Sequence, residues 1–281
     1  MTPEELDQRL DALYTSAQLA SSEGLTDEAI RRCEEALSLL ETYGEETEHH
    51  TFTDFMMLIG DVHWTGGDYE EAYQHYARVA GMDPDRRDAR VAMGVALYHL
   101  CRFQASQSIL ELASLDDPED PEVWYYLGLL ALRRDQKAVA MNHFRHAHEL
   151  QDNRFPLPVE ISEDDVVELV DRMLGELPAD MKKALGNVAI IVEPRPDEDL
   201  LFSNEPPMDP TLLGIFEGTP HGLQSSEIQI MPTRVVLFYE NIALVAGDRE
   251  TLEEELWITL KHEIGHYFGL NEDELAERGL D

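Results

Sequence analysis

Gly60, Gly94 and Gly128 stand 34 residues apart, twice over, and four further columns repeat with them. Ala72, Ser106 and Ala140 follow each glycine by twelve positions, Tyr76, Leu110 and Phe144 by sixteen, Val79, Ala113 and Ala147 by nineteen, and Pro84, Pro118 and Asp152 by twenty-four. A fixed period of this length marks a stacked array, because each unit alone cannot bury its apolar face. The columns fit a helix–turn–helix unit. The glycine and the small residue fall where two helices cross too closely for bulk. The large residue fills the seam between neighbouring units, and proline closes each unit because it cannot continue a helix. A degenerate earlier copy covers about 10–43, where Ala17, Ala29, Cys33 and Ala36 occupy the matching columns. Tyr43–Thr51 is a polar connector.

Charge narrows the partners. The chain carries 21 basic and 58 acidic residues, a net charge of −37. Residues 153–281 hold 9 basic and 28 acidic, and residues 1–152 hold 12 and 30, so the acidity is spread over both halves. Such a surface repels phosphate backbones and anionic lipid head groups. Nucleic acid and membranes are therefore not expected as partners, and a basic protein or peptide is favoured. The two cysteines, Cys33 and Cys101, fall in no metal-binding or disulfide spacing. No apolar run approaches the roughly 18 residues a membrane helix needs, and a cytoplasmic protein is expected.

The period stops near residue 152. Pro156 and Pro158 mark a linker over 153–164. A helix is expected over Ser162–Leu177, with Ser162 as its cap and Val166, Val167, Val170, Met173 and Leu174 as its apolar stripe. It either caps the array or belongs to the C-terminal domain. Asn187–Glu193, Leu213–Glu217, Glu227–Met231 and Arg234–Glu240 read as strands, and the proline-rich acidic stretch Pro194–Pro210 as a loop. A long helix is expected over Asp248–Phe268, with Leu252, Leu256, Leu260, Ile264 and Phe268 spaced every four residues as its buried stripe. Gly269 ends it.

That helix carries His262-Glu263-Ile264-Gly265-His266. Residues four apart share one helix face, so His262 and His266 can hold one ion. Glu263 is offset around the helix, where it can act on water as a base instead of ligating. Two neutral nitrogens and an adjacent carboxylate are the requirements of a zinc hydrolase site. Zinc needs a further protein ligand. Gly269 can adopt positive φ and turn the chain back, which brings Glu272 or Asp273 within reach. Tyr239, Tyr267, His221 and Arg234 are candidates to stabilise an oxyanion. A strand beside the helix, Arg234–Tyr239, is a candidate to pair with an extended substrate.

The columns over residues 53–152 resemble the tetratricopeptide repeat. The resemblance implies an all-α superhelix built from copies at about 10–43, 53–86, 87–120 and 121–152, with a concave groove for a peptide or protein partner. Residues 165–281 resemble the minimal zincins, on Val188–Val192, Leu213-Gly214-Ile215-Phe216-Glu217-Gly218, Val235–Tyr239 and the His-Glu-Ile-Gly-His-Tyr-Phe-Gly-Leu-Asn-Glu run. That resemblance implies a small α+β metallopeptidase domain, with His262, His266 and Glu272 as zinc ligands and Glu263 as base. Only fifteen residues follow His266, so the later methionine-containing turn of the metzincins is not expected. The chain therefore reads as a multidomain zinc-dependent peptidase whose repeats recruit a protein substrate. The competing reading is an interaction scaffold with a structural or proteolytically inactive zinc domain.

Overall fold

The structure, a computed structural model, describes residues 1–44, 50–186, 188–221 and 233–277. The chain divides into two compact units, Met1–His143 and Phe144–Asp281. The first contains α1 (Pro3–Ser22), α2 (Thr26–Tyr43), α3 (Phe52–Thr65), α4 (Tyr69–Met82), α5 (Arg87–His99), α6 (Phe103–Asp116), α7 (Pro121–Leu132) and the start of α8 (Lys137–Leu150). Thr2 and Glu5 form a capping box that starts α1 at Pro3, ahead of the first repeat column.

The spacing of the repeats is explained by contact. A Cβ built at Gly60 would meet the Tyr76 ring at 2.5 Å, and one at Gly94 would meet Leu110 Cδ2 at 2.8 Å. The bulky column thus packs on the glycine of its own helix pair, and not only in the seam between neighbours. Ala72 and Ser106 are fully buried, and the Ser106 hydroxyl donates to the Gly94 carbonyl at 2.7 Å. The small columns are small because the paired helices touch there.

The second unit continues with α9 (Glu163–Glu176), α10 (Ala179–Leu185), β1 (Ala189–Glu193), α11 (Glu198–Leu201), β2 (Gly214–Glu217), β3 (Arg234–Phe238), α12 (Tyr239–Ala246), α13 (Arg249–Tyr267) and α14 (Glu272–Ala276). Ser162 caps α9, but the buried stripe differs from the expected one: Val167 is 41% exposed, and Leu169, at 2%, takes its place. Val166, Val167, Leu169 and Val170 fall within five positions, so hydrophobicity alone did not decide which faced inward. Tyr239 and Glu240 open α12 and do not extend β3. Part of the expected Pro194–Pro210 loop forms the single turn α11, capped by Asp197. The expected strand Glu227–Met231 and residue Asn187 lie outside the described residues.

The sheet is ordered β1-β3-β2, with β1 parallel and β2 antiparallel to β3. All of β3 beyond Arg234 is buried, which suits its unbroken run Val-Val-Leu-Phe. Val235 and Leu237 share a core with Leu252, Leu256, Leu260 and Ile264 of α13 and with Val166, Leu169 and Val170 of α9. Asn241, itself buried, donates to the carbonyls of Pro210 (3.0 Å) and Leu212 (2.7 Å), fixing the chain where it enters β2. Among the described residues no helix is long and apolar enough to cross a membrane.

Candidate metal centre

Asp248 caps α13 through the Thr251 N–H, and the buried leucine stripe sets the helix's rotation on the sheet. That rotation turns His262 and His266 to one cleft, their Nε2 atoms 3.0 Å apart. Beyond His266 the helix ends in a Schellman turn. Gly269 has φ +83°, the Leu270 N–H reaches the Gly265 carbonyl at 3.1 Å, and the Gly269 N–H reaches the His266 carbonyl at 2.9 Å. Asn271 then caps the short α14 in a box with Glu274, and Glu272 is its first residue.

Glu272 returns to the histidines: its carboxylate oxygens lie 3.3 Å from His266 Nε2 and 3.6 Å from His262 Nε2. Among the described residues, these three form the group whose potential ligand atoms all lie within 4.8 Å of one another. Tetrahedral donors held about 2.0–2.2 Å from a zinc ion stand about 3.3 Å apart. The two Nε2 atoms, 3.0 Å apart, and the shortest approach of each to the carboxylate, 3.3 Å to one oxygen and 3.6 Å to the other, lie near that value. His266 Nδ1 donates to the Leu270 carbonyl at 3.1 Å. A carbonyl only accepts, so the proton sits on Nδ1 and the Nε2 lone pair faces the cleft, as metal ligation requires. The donor set of two imidazoles and a carboxylate suits zinc.

Gly265, between the two histidines, was not marked by sequence reasoning as more than a variable position. A Cβ there would run into Leu275 Cδ2, and Leu275 is fully buried. The glycine therefore lets α14 seat directly on α13. The signal was present in the sequence as the smallest residue inside the motif, but its meaning depends on a helix that folds back.

Glu263 is 7% exposed. Burial pushes its carboxyl above the ordinary range, against the lowering influence of the two imidazoles and of a hydrogen bond from the Phe216 backbone. Phe238 N–H bonds to the Leu213 carbonyl at 2.8 Å, so by antiparallel alternation the N–H groups of Gly214 and Phe216 point away from β3. This corrects the expected role of Arg234–Tyr239 as a substrate-pairing strand. β3 is central with both edges occupied, and the edge facing α13 is β2.

The cleft is about 540 Å³, lined by His262, Glu263, His266 and Glu272 together with Leu212, Gly214, Ile215, Phe216, Gly218, Pro220, Gly269, Leu270 and Asn271. The oxyanion candidates are otherwise engaged. Tyr267 is buried and donates its hydroxyl to the Ala184 carbonyl at 2.9 Å, with His221 Nδ1 on the same oxygen at 2.9 Å. Arg234 is paired with Glu217, and Tyr239 is buried at the start of α12.

The chain thus carries a helical repeat array and, in its second unit, a helix whose two histidines meet a returning glutamate. Residues 185–280 match the family model described as zincin-like metallopeptidase, and residues 64–132 match the tetratricopeptide repeat. The tetratricopeptide match falls within the repeat array and the zincin-like match within the second unit. Among solved structures it is similar to MamA of Desulfovibrio magneticus RS-1, at 19% identity over 51% of this chain and 76% of that one, with a TM-score of 0.43. It is also similar to Pseudomonas aeruginosa PilF, at 21% identity over 61% and 71%, TM-score 0.44. YrrB, described as a TPR protein with an unusual peptide-binding site, is 19% identical over 53% and 73%, TM-score 0.41. These likenesses concern the fold alone.

Proposed function

We propose that the protein is a cytoplasmic zinc-dependent metallopeptidase that hydrolyses peptide bonds, with its repeats recruiting a protein substrate or partner. The observation that carries this reading is the convergence of His262 Nε2, His266 Nε2 and the Glu272 carboxylate, beside a buried Glu263. His262, His266 and Glu272 would hold the zinc; Asp273 belongs to no such group among the described residues. When bound, zinc supplies Lewis acidity, making water more acidic and a carbonyl more electrophilic.

The chain's own residues supply the rest. Glu263 takes a proton from the attacking water and delivers it to the leaving amine. The outward backbone of β2 at Gly214 and Phe216 aligns an extended peptide beside the helix, and Ile215, Phe216, Pro220 and Leu270 give the cleft apolar walls. The net charge of −37 favours a basic partner over an acidic one.

Two measurements test the reading. Elemental analysis should find about one zinc per wild-type chain and a large loss in His262→Ala. Glu263→Gln should abolish cleavage of a peptide library while keeping zinc and fold. Zinc-loaded wild type that cuts nothing transfers the assignment to the second reading, an interaction scaffold with an inactive zinc domain. The tetratricopeptide match over 64–132 already favours a protein or peptide partner.

A further inference from the structure

Asn271 stands in the turn between α13 and α14 and lines the cleft with His262, Glu263, His266 and Glu272. Its side-chain oxygen accepts the Glu274 N–H at 2.9 Å. A backbone N–H only donates, so the atom it meets is the oxygen, and the other half of the amide is the NH2 group. That Nδ2 takes no hydrogen bond among the described residues. The backbone donors of the same turn are already used. The Gly269 and Leu270 N–H groups close the helix at 2.9 and 3.1 Å, and the Glu274 carboxylate holds the Asn271 N–H at 3.0 Å. Among the described side chains that line the cleft, His262 and His266 serve the metal site, and ionised Glu263 and Glu272 only accept. The others, Asn271 apart, are apolar or glycine, so Asn271 carries the one uncharged side-chain donor among them.

We propose that the Asn271 side-chain amide donates a hydrogen bond to the carbonyl oxygen of the peptide bond under attack. The proposal rests on the peptidase reading. Negative charge collects on that oxygen as water adds, and a fixed neutral donor stabilises the charge without a proton having to move. The water oxygen bonds to the carbonyl carbon and the C–N bond breaks. Both water protons end on the departing amine, the first by way of Glu263, and the new acid is left as a carboxylate. Asn271 keeps both its amide protons throughout. The capping bond restrains the side chain in advance, so presenting the NH2 group costs little ordering during the reaction. The turn that returns Glu272 to within 3.3 Å of His266 also carries Asn271, the residue next to it, to the same site. A cap alone does not call for asparagine, because aspartate and serine cap a helix about equally well. The NH2 group is what separates asparagine from both.

The test compares Asn271→Ser, Asn271→Asp and Asn271→Ala with wild type, each as the zinc-loaded full chain. Serine and aspartate keep a capping oxygen and remove the NH2 group, serine without adding charge; alanine removes both functions. Chelator competition reads zinc affinity, and a peptide library reads hydrolysis. A third readout needs no cleavage: affinity for acetyl-leucine hydroxamate, a probe that binds zinc through its carbonyl and hydroxyl oxygens. Asn271→Ser should lower kcat about 100-fold, with KM changed far less. It should weaken the hydroxamate about three- to tenfold, the worth of one neutral hydrogen bond. Zinc affinity should stay within about threefold, short of the loss that follows when a ligand's support is removed. Asn271→Asp should lose at least as much activity, and Asn271→Ala should in addition bind zinc more weakly as α14 loses its cap. Wild-type kcat and hydroxamate affinity in Asn271→Ser overturn the inference and leave Asn271 a cap alone. A loss that runs in parallel with lost zinc also overturns it, because the effect then passes through Glu272. If wild type binds zinc but cuts no peptide, the peptidase reading falls, and the hydroxamate series still decides whether Asn271 donates at the site. If wild type binds no zinc, the inference falls with the metal site.

Discussion

His266 and Leu270 are joined by a hydrogen bond from the imidazole Nδ1 to the backbone carbonyl at 3.1 Å, and this bond decides which nitrogen of His266 faces the cleft. The carbonyl is available because the chain reverses at Gly269, one residue earlier. A single turn therefore does two things: it orients one imidazole and it returns Glu272 to within 3.3 Å of it.

Gly269→Ala should weaken zinc binding while leaving the fold intact. A β-carbon at φ +83° costs about 1–2 kcal/mol and pulls the Leu270 carbonyl from His266. Loss of such an outer partner costs about 10–100-fold in metal affinity. Gly269→Asn, which tolerates the left-handed region better, should fall between alanine and wild type. Competition with a chromophoric chelator measures the series, and equal affinities across it would contradict the argument.

Gly265→Ala tests how Glu272 is brought in. The new methyl meets buried Leu275. Alanine gains up to about 1 kcal/mol of helix propensity, so global stability should change little. Zinc affinity should nonetheless drop about tenfold as α14 lifts away. Adding Leu275→Ala should restore part of it, because the methyl then has room.

In the repeat unit the same balance should come out differently at two glycines. Gly60→Ala gains about 1 kcal/mol of helix propensity but drives a methyl into the Tyr76 ring, and overpacking costs about 1–3 kcal/mol. Tyr76 has little freedom to yield, since its hydroxyl donates to Asp61 at 2.8 Å. Gly94→Ala meets Cδ2 and Cγ of Leu110 and Cγ2 of Ile109, aliphatic groups that no hydrogen bond holds in place. Urea unfolding should therefore show net destabilisation for Gly60→Ala and a smaller or no loss for Gly94→Ala.

Asp54 couples the repeats to pH. Burial alone would raise its carboxyl, but the Thr51 N–H, the Thr51 hydroxyl and Arg86, at 2.6 Å, together hold it below the ordinary carboxylate range. A carboxyl with a folded pKa below its unfolded one stabilises the fold above the unfolded pKa of about 3.9. That contribution disappears as pH falls through the folded value. Asp54→Asn should therefore lower stability by about 1–2 kcal/mol at pH 7, with a gap to wild type that narrows below pH 4. A constant gap from pH 7 to pH 3 in urea titrations would remove Asp54 from this role.

The repeat columns and the His-Glu-Ile-Gly-His run were legible because they depend on local rules: one residue per helix crossing, and two imidazoles one turn apart. Gly60, Gly94, His262 and His266 could be read from spacing alone. Which strand borders the site could not. β3 has the stronger β-forming sequence, but strand order put it in the centre and left the shorter Gly-Ile-Phe-Glu segment at the edge beside Glu263. Edge or centre is a property of what pairs on either side, and a strand's own residues do not record it. Likewise, Gly214 and Gly265 are ordinary small residues in the sequence; their need to be glycine comes from Thr259 and Leu275, brought to them from elsewhere in the chain. The sequence by itself determined the helices and the residues able to bind a metal, because helical periodicity is a short-range property. Only the tertiary structure decided which strand lies against Glu263 and how Glu272 returns, because those contacts depend on close packing between segments distant in sequence.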